Sequence, residues 1–569
     1  MSDEPSIERA ESTPSRLITV AGVAGAVLLL GGIAAALYSQ FFAAPIPVPS
    51  DEPDSSQFPA RIVWGTLIIG VVVAVISGFI IVRGRRPDPG ADGATAAGVL
   101  ALLLILTGAG VFTILEHIPS TYGRLTSTFV VTSRLPFAIA GLILVLGGAI
   151  SIFTLASKPR ALMMSRPVIA IGLSLGVVLC TSITGFALRA GNDGRNIDHV
   201  QARDISVPVV PATIGAEKFR ISIPATRLRN AVITAGAGFV VSTEHGITAY
   251  DGATGAERWH YRRVSGAVRN LPQETRSFET ERVVLTFWDN RGWMAFDSFT
   301  GEILWSESDF NRRPFEDRFG PIPGPLLITS SDTNELSRFD ARTGRRLWTA
   351  PAAPKDCRSI SSTEAIITTR IYRMFVCTGD STTIEVTTWD PGSGSMTDRR
   401  TIAAPGARYL SPTRTVSFED GFVSFSWSQD GGEHQLWLRP ATDINIAEIN
   451  RSRDDVVATG GSGGQILVDG RGATFDIVDI DGRNDPIALS GVSTILNPIF
   501  VADRIVGLGT IPDQYVVQTW NPATGAIDAT VPIGPMPDIR DLRLIRAPGS
   551  LLVISPHRDT GTVDIIGLG

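Results

Sequence analysis

Lysine is nearly absent from this chain: of 50 basic residues, all but Lys158, Lys218 and Lys355 are arginine. No stretch interleaves basic residues with aromatics and the formal charge is −6, which argues against a nucleic-acid partner. Arginine in place of lysine, beside abundant Ala, Gly and Val, fits a GC-rich bacterial genome. Histidine is scarce too. His117, His199, His245, His260, His434 and His557 show no His-x-x-x-His spacing, and no Cys-x-x-Cys occurs, so a zinc site lacks a ligand set. A Gly-x-Ser-x-Gly elbow, a Walker loop and a dinucleotide fingerprint are also missing. Gly460 to Gly464 reads as a flexible turn, because no helix follows it.

Charge is missing where the chain is most apolar. Five uncharged segments, at about 17–38, 62–82, 96–115, 137–155 and 168–188, are each close to the ~20 residues that cross ~30 Å of hydrocarbon as helix. The first is longer than a signal h-region and has no convincing cleavage site, so it is expected to stay as an anchor behind a disordered tail at 1–16. Arg83, Arg85 and Arg86 join the second and third segments, and Lys158, Arg160 and Arg166 the fourth and fifth, which makes both loops cytoplasmic. The alternate loops are poorer in bases; one carries Asp51, Glu52 and Asp54. Five crossings from a cytoplasmic N-terminus place all that follows outside the cell membrane, with membrane lipid as the first partner.

The spans offer only Ser, Thr and Cys180 as polar groups, so no ion path is legible in them. Gly31, Gly32, Gly108, Gly110, Gly147 and Gly148 read as close helix packing, and Glu116 with His117 as an interfacial pair. Residues 189–217, with Pro208 and Pro211, are expected to be a polar linker spacing the rest from the bilayer.

The remainder, 218–569, is organised by a repeat: Ala249-Tyr-Asp251-Gly-Ala-Thr254-Gly255-Ala-Glu-Arg-Trp259, then Ala295 to Trp305, then Arg338 to Trp348. Each copy reads as strand, tight turn, strand, with Asp251, Asp297 and Asp340 opening the turns. Gly255, Gly301 and Gly344 are free to take positive φ there. Trp259, Trp305 and Trp348 are assigned to the junctions between neighbouring units, each burying an aromatic payload of ~150–250 Å². Degraded copies stand at Asp390 and Asn521.

Marker strands at Ile247–Asp251, Trp293–Asp297, Glu335–Asp340, Ile384–Asp390, Gln435–Arg439, Thr474–Asp479, Tyr515–Asn521 and Thr562–Gly567 recur at roughly 40 to 50 residues, the spacing of four-stranded propeller blades. The expected fold is a five-helix transmembrane bundle followed by an all-β propeller of eight blades, with seven as the alternative count. Phe219 to Pro224 is expected to complete the last blade and close the ring.

The pattern Ala-x-Asp-x-x-Thr-Gly-x-x-x-Trp resembles the repeat of quinoprotein propellers, a family that includes pyrroloquinoline-quinone (PQQ) dehydrogenases and a non-catalytic propeller lipoprotein of outer-membrane barrel assembly. The resemblance is clear in three copies and covers the last ~350 residues. The layout of five helices and an exported propeller also looks like that of membrane-bound glucose dehydrogenase. Yet short blades leave little room for an active site, no adjacent Cys-Cys pair occurs, and Asp479 to Asp485 lacks the spacing of a calcium loop. The resemblance therefore implies a binding protein without a cofactor, a scaffold or assembly factor for envelope proteins. A quinone-linked dehydrogenase is the alternative.

In an exported domain, Cys357 and Cys377 are expected to pair, from neighbouring strands of one blade, with two inert buried thiols as the alternative; Cys180, within a span, stays free.

Overall fold

The computed structural model describes residues 12–44, 53–84, 112, 116–123, 131–156, 165–224, 231–243, 245–263, 272–288, 292–307, 326–330, 335–351, 357–366, 370–378, 382–403, 410–417, 423–429, 432–438, 447–448, 456–459, 465–469, 475–479, 485–490, 495–511, 514–534, 542–557 and 559–569. They fall into two units, a helical one ending at Ile197 and a β one starting at Asp198.

Among the described residues of the helical unit, four helices are long and apolar enough to cross a membrane: Ser12–Phe41, Pro53–Gly84, Arg134–Ala156 and Arg166–Ala190. All four run beyond the bounds expected from the apolar runs. The polar flanks continue the helices: Pro53 opens its helix, where a missing N–H is no loss, Pro167 sits in the first turn of the last, and Pro59, inside the second helix, removes one intrahelical hydrogen bond without ending it. The segment expected at 96–115 lies outside the described residues apart from Phe112, as do Gly108, Gly110 and most of the tail at 1–16.

Glycine decides how these helices meet. A Cβ built on Gly25 would stand 3.0 Å from the Gly148 carbonyl oxygen, and one on Gly148 2.7 Å from that of Gly25. Gly32 and Gly141 repeat the contact at 2.8 and 2.9 Å, one heptad along each helix. The first and third described helices thus touch backbone to backbone, the arrangement small residues permit in lipid. Leu29, Ala36, Ile62, Leu135, Leu142 and Val145 fill the space around the contact. Gly31 instead faces Cys180, whose Sγ would be 2.5 Å from an added Cβ, and Gly147 only brushes Leu28. Gly32→Leu is expected to destabilise the bundle by about 1–3 kcal/mol, since a larger side chain pushes the paired backbones away from each other. Unfolding in detergent reads this against the exposed control Ile150→Leu; equal resistance would contradict the close contact.

In the β unit, eight antiparallel sheets follow one another among the described residues, at 197–263, 272–307, 326–351, 357–403, 410–448, 456–488, 495–534 and 543–568. The described residues of each of the eight marker segments fall on a different sheet. The eighth sheet takes its outermost strand from Glu217–Pro224, which lies antiparallel to Thr562–Leu568 with Ile221 opposite Ile565. The first and last sheets share one core, in which Val232, Phe239 and Val241 meet Leu552, Ile554 and Ile565. Comparable cores join the second sheet to the third through Trp293, Leu326 and Ala341, and the third to the fourth through Leu336, Ile371 and Trp389. The sixth meets the seventh through Ile477 and Trp520, and the seventh meets the eighth through Leu508 and Val553.

The expected linker is shorter than 189–217. Ile197–Val200 forms a strand against the outer side of Glu257–Arg263, making the first sheet five-stranded. Its burial alternates, with Ile197 and His199 turned inward and Asp198 and Val200 outward, and its backbone covers an edge that would otherwise present unpaired N–H and C=O groups. His260 stands between two carboxylates, its Nδ1 hydrogen-bonded to Glu257 at 2.5 Å and its Nε2 3.1 Å from Asp198 of this strand. Residues 201–216 then cross the β unit as a strap. Ala202 N–H donates to the Thr300 carbonyl, Val209 accepts from Gly549 N–H, and Val210 and Ile214 pack on the core of the last two sheets.

Candidate binding surface

The repeat turns all work in one way. In Asp251-x-x-Thr-Gly, the carboxylate Oδ1 accepts from the backbone N–H groups of Ala253 and Thr254 and from the Thr254 hydroxyl, each at 3.0 Å. Gly255 follows at φ +69° and donates its N–H to the Asp251 carbonyl. The same closure recurs at Asp297 with Gly301, Asp340 with Gly344, Asp390 with Gly394 and Asn521 with Gly525.

Each tryptophan of the repeat lies over the glycine of the next turn. A Cβ on Gly301 would stand 2.6 Å from the Trp259 indole, one on Gly344 2.9 Å from Trp305 and one on Gly394 2.5 Å from Trp348. The indole N–H groups donate to carbonyls of those same turns: Trp259 to Ser298, Trp305 to Ala341 and Trp348 to Pro391. At the junction between the eighth and first sheets the ring belongs to Phe219, 2.6 Å from a Cβ on Gly255. These residues join neighbouring sheets.

The turns of the second and third sheets line an open cavity of about 700 Å³ beside the strap. The strap contributes Asp204. From the second sheet come Glu281 and Arg282 of one turn and Asp297, Thr300 and Glu302 of the repeat turn. The third sheet adds Arg338, Asp340, Arg342 and Leu347. Arg282, held at φ +57°, lays its guanidinium 4.1 Å over the Phe299 ring and donates to Asp204 at 2.8 Å. Arg342 reaches between sheets to donate to Asp297 at 3.0 Å. Ala341 N–H donates to Glu281 at 2.7 Å.

Burial pushes the Glu281 carboxyl up, although Ala341 N–H and nearby Arg338 pull the other way. Burial acts on Asp297 in the same sense, but there Arg342 and the Phe299 and Thr300 amides outweigh it and hold the carboxyl below its usual range. A carboxyl depressed by folding stabilises the fold above its unfolded value of ~3.9, and that contribution is lost as pH falls through the lower folded value. Asp297→Asn is therefore expected to be less stable than wild type at pH 7, with the difference shrinking on acidification below about pH 4. Thermal melts across that range check it; a constant difference would contradict the ion pair's role.

Of the residues singled out from sequence, Asp297 and Asp340 line the cavity, whereas Asp251 lies beside Arg258 at 4.0 Å. Asp204, Glu281 and Arg282 are not legible in the sequence, because they come from the strap and a non-repeating turn. Arg338 and Arg342 carry a signal: they stand where the other two copies have Ala249 and Ala295, and Ala253 and Phe299.

Near the first strands of the first, second and eighth sheets, burial raises the Glu279 carboxyl, opposed by the Thr234 hydroxyl and Arg546. Asp479 closes a strand, but most of the segment to Asp485 lies outside the described residues.

Cys357 and Cys377 are directly opposite each other on paired strands and are joined by a disulfide; Cys180 is free. Glu385 lies against the sulfurs, but the bonded pair offers no thiolate to a metal, and Glu385 is held by Arg399. Cys377→Ser is expected to cost about 3 kcal/mol by freeing a loop of about twenty residues in the unfolded chain. Non-reduced mass spectrometry of the wild type should recover the two peptides linked. Separate alkylated peptides would rule the bond out.

The family model described as outer membrane protein assembly factor BamB matches residues 209–328 and 294–439. Among solved structures, BamB from Moraxella catarrhalis aligns at 12% identity and TM-score 0.38, covering 62% of this chain and all of that one. The RRP9 WD40 repeats align at 10% and 0.31, covering 63% and 99%, and Saccharomyces cerevisiae Sqt1 at 10% and 0.34, covering 66% and 99%. No curated protein matches the chain. The β unit has a PQQ-like β-propeller-type fold.

Proposed function

We propose that this protein is a membrane-anchored, extracytoplasmic propeller of eight blades closed into a ring, serving as a protein-binding scaffold or assembly factor of the cell envelope. The match of its repeats to the outer-membrane assembly factor family carries the reading. The shared core of the first and last sheets and the strand Glu217–Pro224 support the ring. The four apolar helices, with 96–115 as a fifth, support the anchor, and the arginines of the short loops its orientation. In this reading the protein is no enzyme and needs no cofactor: the repeat aromatics are spent on blade junctions, and the residues lining the cavity suit protein contacts.

The deciding experiment is affinity purification of the tagged protein from gently solubilised membranes, with PQQ and calcium added to a parallel sample. Envelope proteins retained in fixed ratio, with no dye reduction in either sample, are expected. PQQ-dependent oxidation of a sugar or alcohol would overturn the scaffold in favour of a dehydrogenase. For orientation, a reporter active only outside the membrane should work when fused after Gly191 and fail after Gly84; the reverse would mean that the number of crossings is off by one.

A further inference from the structure

We propose that the cavity between the second and third sheets takes a basic side chain carried on an extended, partly apolar segment of a partner protein. The inference rests on the scaffold reading above and adds the chemistry of the partner.

Charge is the first ground. The cavity is lined by five carboxylates, from Asp204, Glu281, Asp297, Glu302 and Asp340, against three guanidinium groups. The guanidiniums are already committed. Arg282 is engaged by Asp204 and the Phe299 ring, Arg342 by Asp297, and Arg338 donates to the Pro391 carbonyl of the next turn. Asp297 is likewise saturated, by Arg342 and two amides. Glu302 is exposed at the rim, and among the described residues no cation pairs with its carboxylate. The uncompensated charge is negative, so an incoming cation gains and an anion loses.

The strap supplies the second ground. Directly after Asp204 it presents Ile205, Val207 and Val209 at alternate positions, and they are 38%, 57% and 87% exposed. That is the side-chain period of an extended chain, and it starts at the acidic cavity and runs from there toward Gly549 of the eighth sheet. A segment with apolar residues along the strap and a Lys or Arg in the cavity satisfies both features. A bilayer surface satisfies only the apolar one, since anionic headgroups would meet carboxylates.

The test uses the full-length protein in neutral detergent and two labelled peptides, one alternating lysine with valine and one alternating glutamate with valine. Fluorescence anisotropy should show binding of the lysine peptide alone, weakening as salt is raised. Asp204→Asn with Glu302→Gln should weaken it about tenfold, as expected for loss of charge-assisted contacts. Glu302→Lys should shift preference toward the glutamate peptide. Both positions are solvent-exposed, and matching thermal melts establish that the variants fold. No binding of the lysine peptide, equal binding of both peptides, or equal affinity of wild type and double variant would overturn the assignment. The purification above separates this failure from that of the broader reading. A partner retained equally by wild type and double variant removes the cavity's role and leaves the scaffold; no retained partner removes the scaffold itself.

Discussion

Trp259→Ala is expected to lower the stability of the β unit by about 3–5 kcal/mol, the range for emptying a buried aromatic site. The indole is completely buried, sits on Gly301, stacks with Phe296 at 6.0 Å between centroids and donates to the Ser298 carbonyl at 3.1 Å. Its loss opens a cavity between the first and second sheets and leaves a buried carbonyl unpaired. Trp259→Phe keeps most of the contact and gives up the hydrogen bond, so it should cost less than the alanine variant. From the other side, Gly301→Val meets both the indole and a φ of +73°, and should weaken the same junction. Thermal unfolding of the three variants checks the ordering; an alanine variant as stable as wild type would show that the indole is not what joins these sheets.

Deleting Phe219 to Pro224 should have a still larger effect, because it removes a whole strand and a junction together. The strand pairs along its length with Thr562–Leu568, and Phe219 fills against Gly255 the place that tryptophan fills elsewhere. Without it the eighth sheet exposes an edge and the core shared with the first sheet loses Ile223. The expected result is loss of the cooperative melt of the β unit. Phe219→Ala, which keeps the strand, should lower the midpoint and leave the transition cooperative. Unchanged melting of the deletion would mean that the two ends of the β unit do not hold it together.

The repeat is readable because its chemistry is local. Asp251, Thr254 and Gly255 form their hydrogen bonds within a few residues, so the spacing alone carries the turn, and the tryptophan four residues after the glycine reveals what the turn faces. Phe219 is readable as a strand residue but not as the equivalent of Trp259, since Phe-Arg-Ile-Ser-Ile-Pro has none of the repeat's spacing. The strap reads as a spacer in the sequence because its partners, Thr300, Arg282 and Gly549, are far away along the chain and only folding brings them near. Glycine packing in the helices is readable in kind and only partly in place. Gly32 and Gly148 contact backbone as their size suggests, but Gly25 and Gly141 complete those pairs, while Gly31 and Gly147 face side chains. Helix ends lie further out than expected because an apolar run marks only the apolar part of a hydrogen-bonded helix, whose polar ends continue it.

Photo-crosslinking in living cells tests most directly whether the β unit binds proteins through the cavity and strap. A crosslinking amino acid in place of Leu347, which lines the cavity, is compared with one in place of Ile511 on the seventh sheet; both residues are about equally exposed. A discrete adduct of constant mass from position 347, absent from position 511, is the predicted result. The same adducts from both positions, or none from 347, would contradict it.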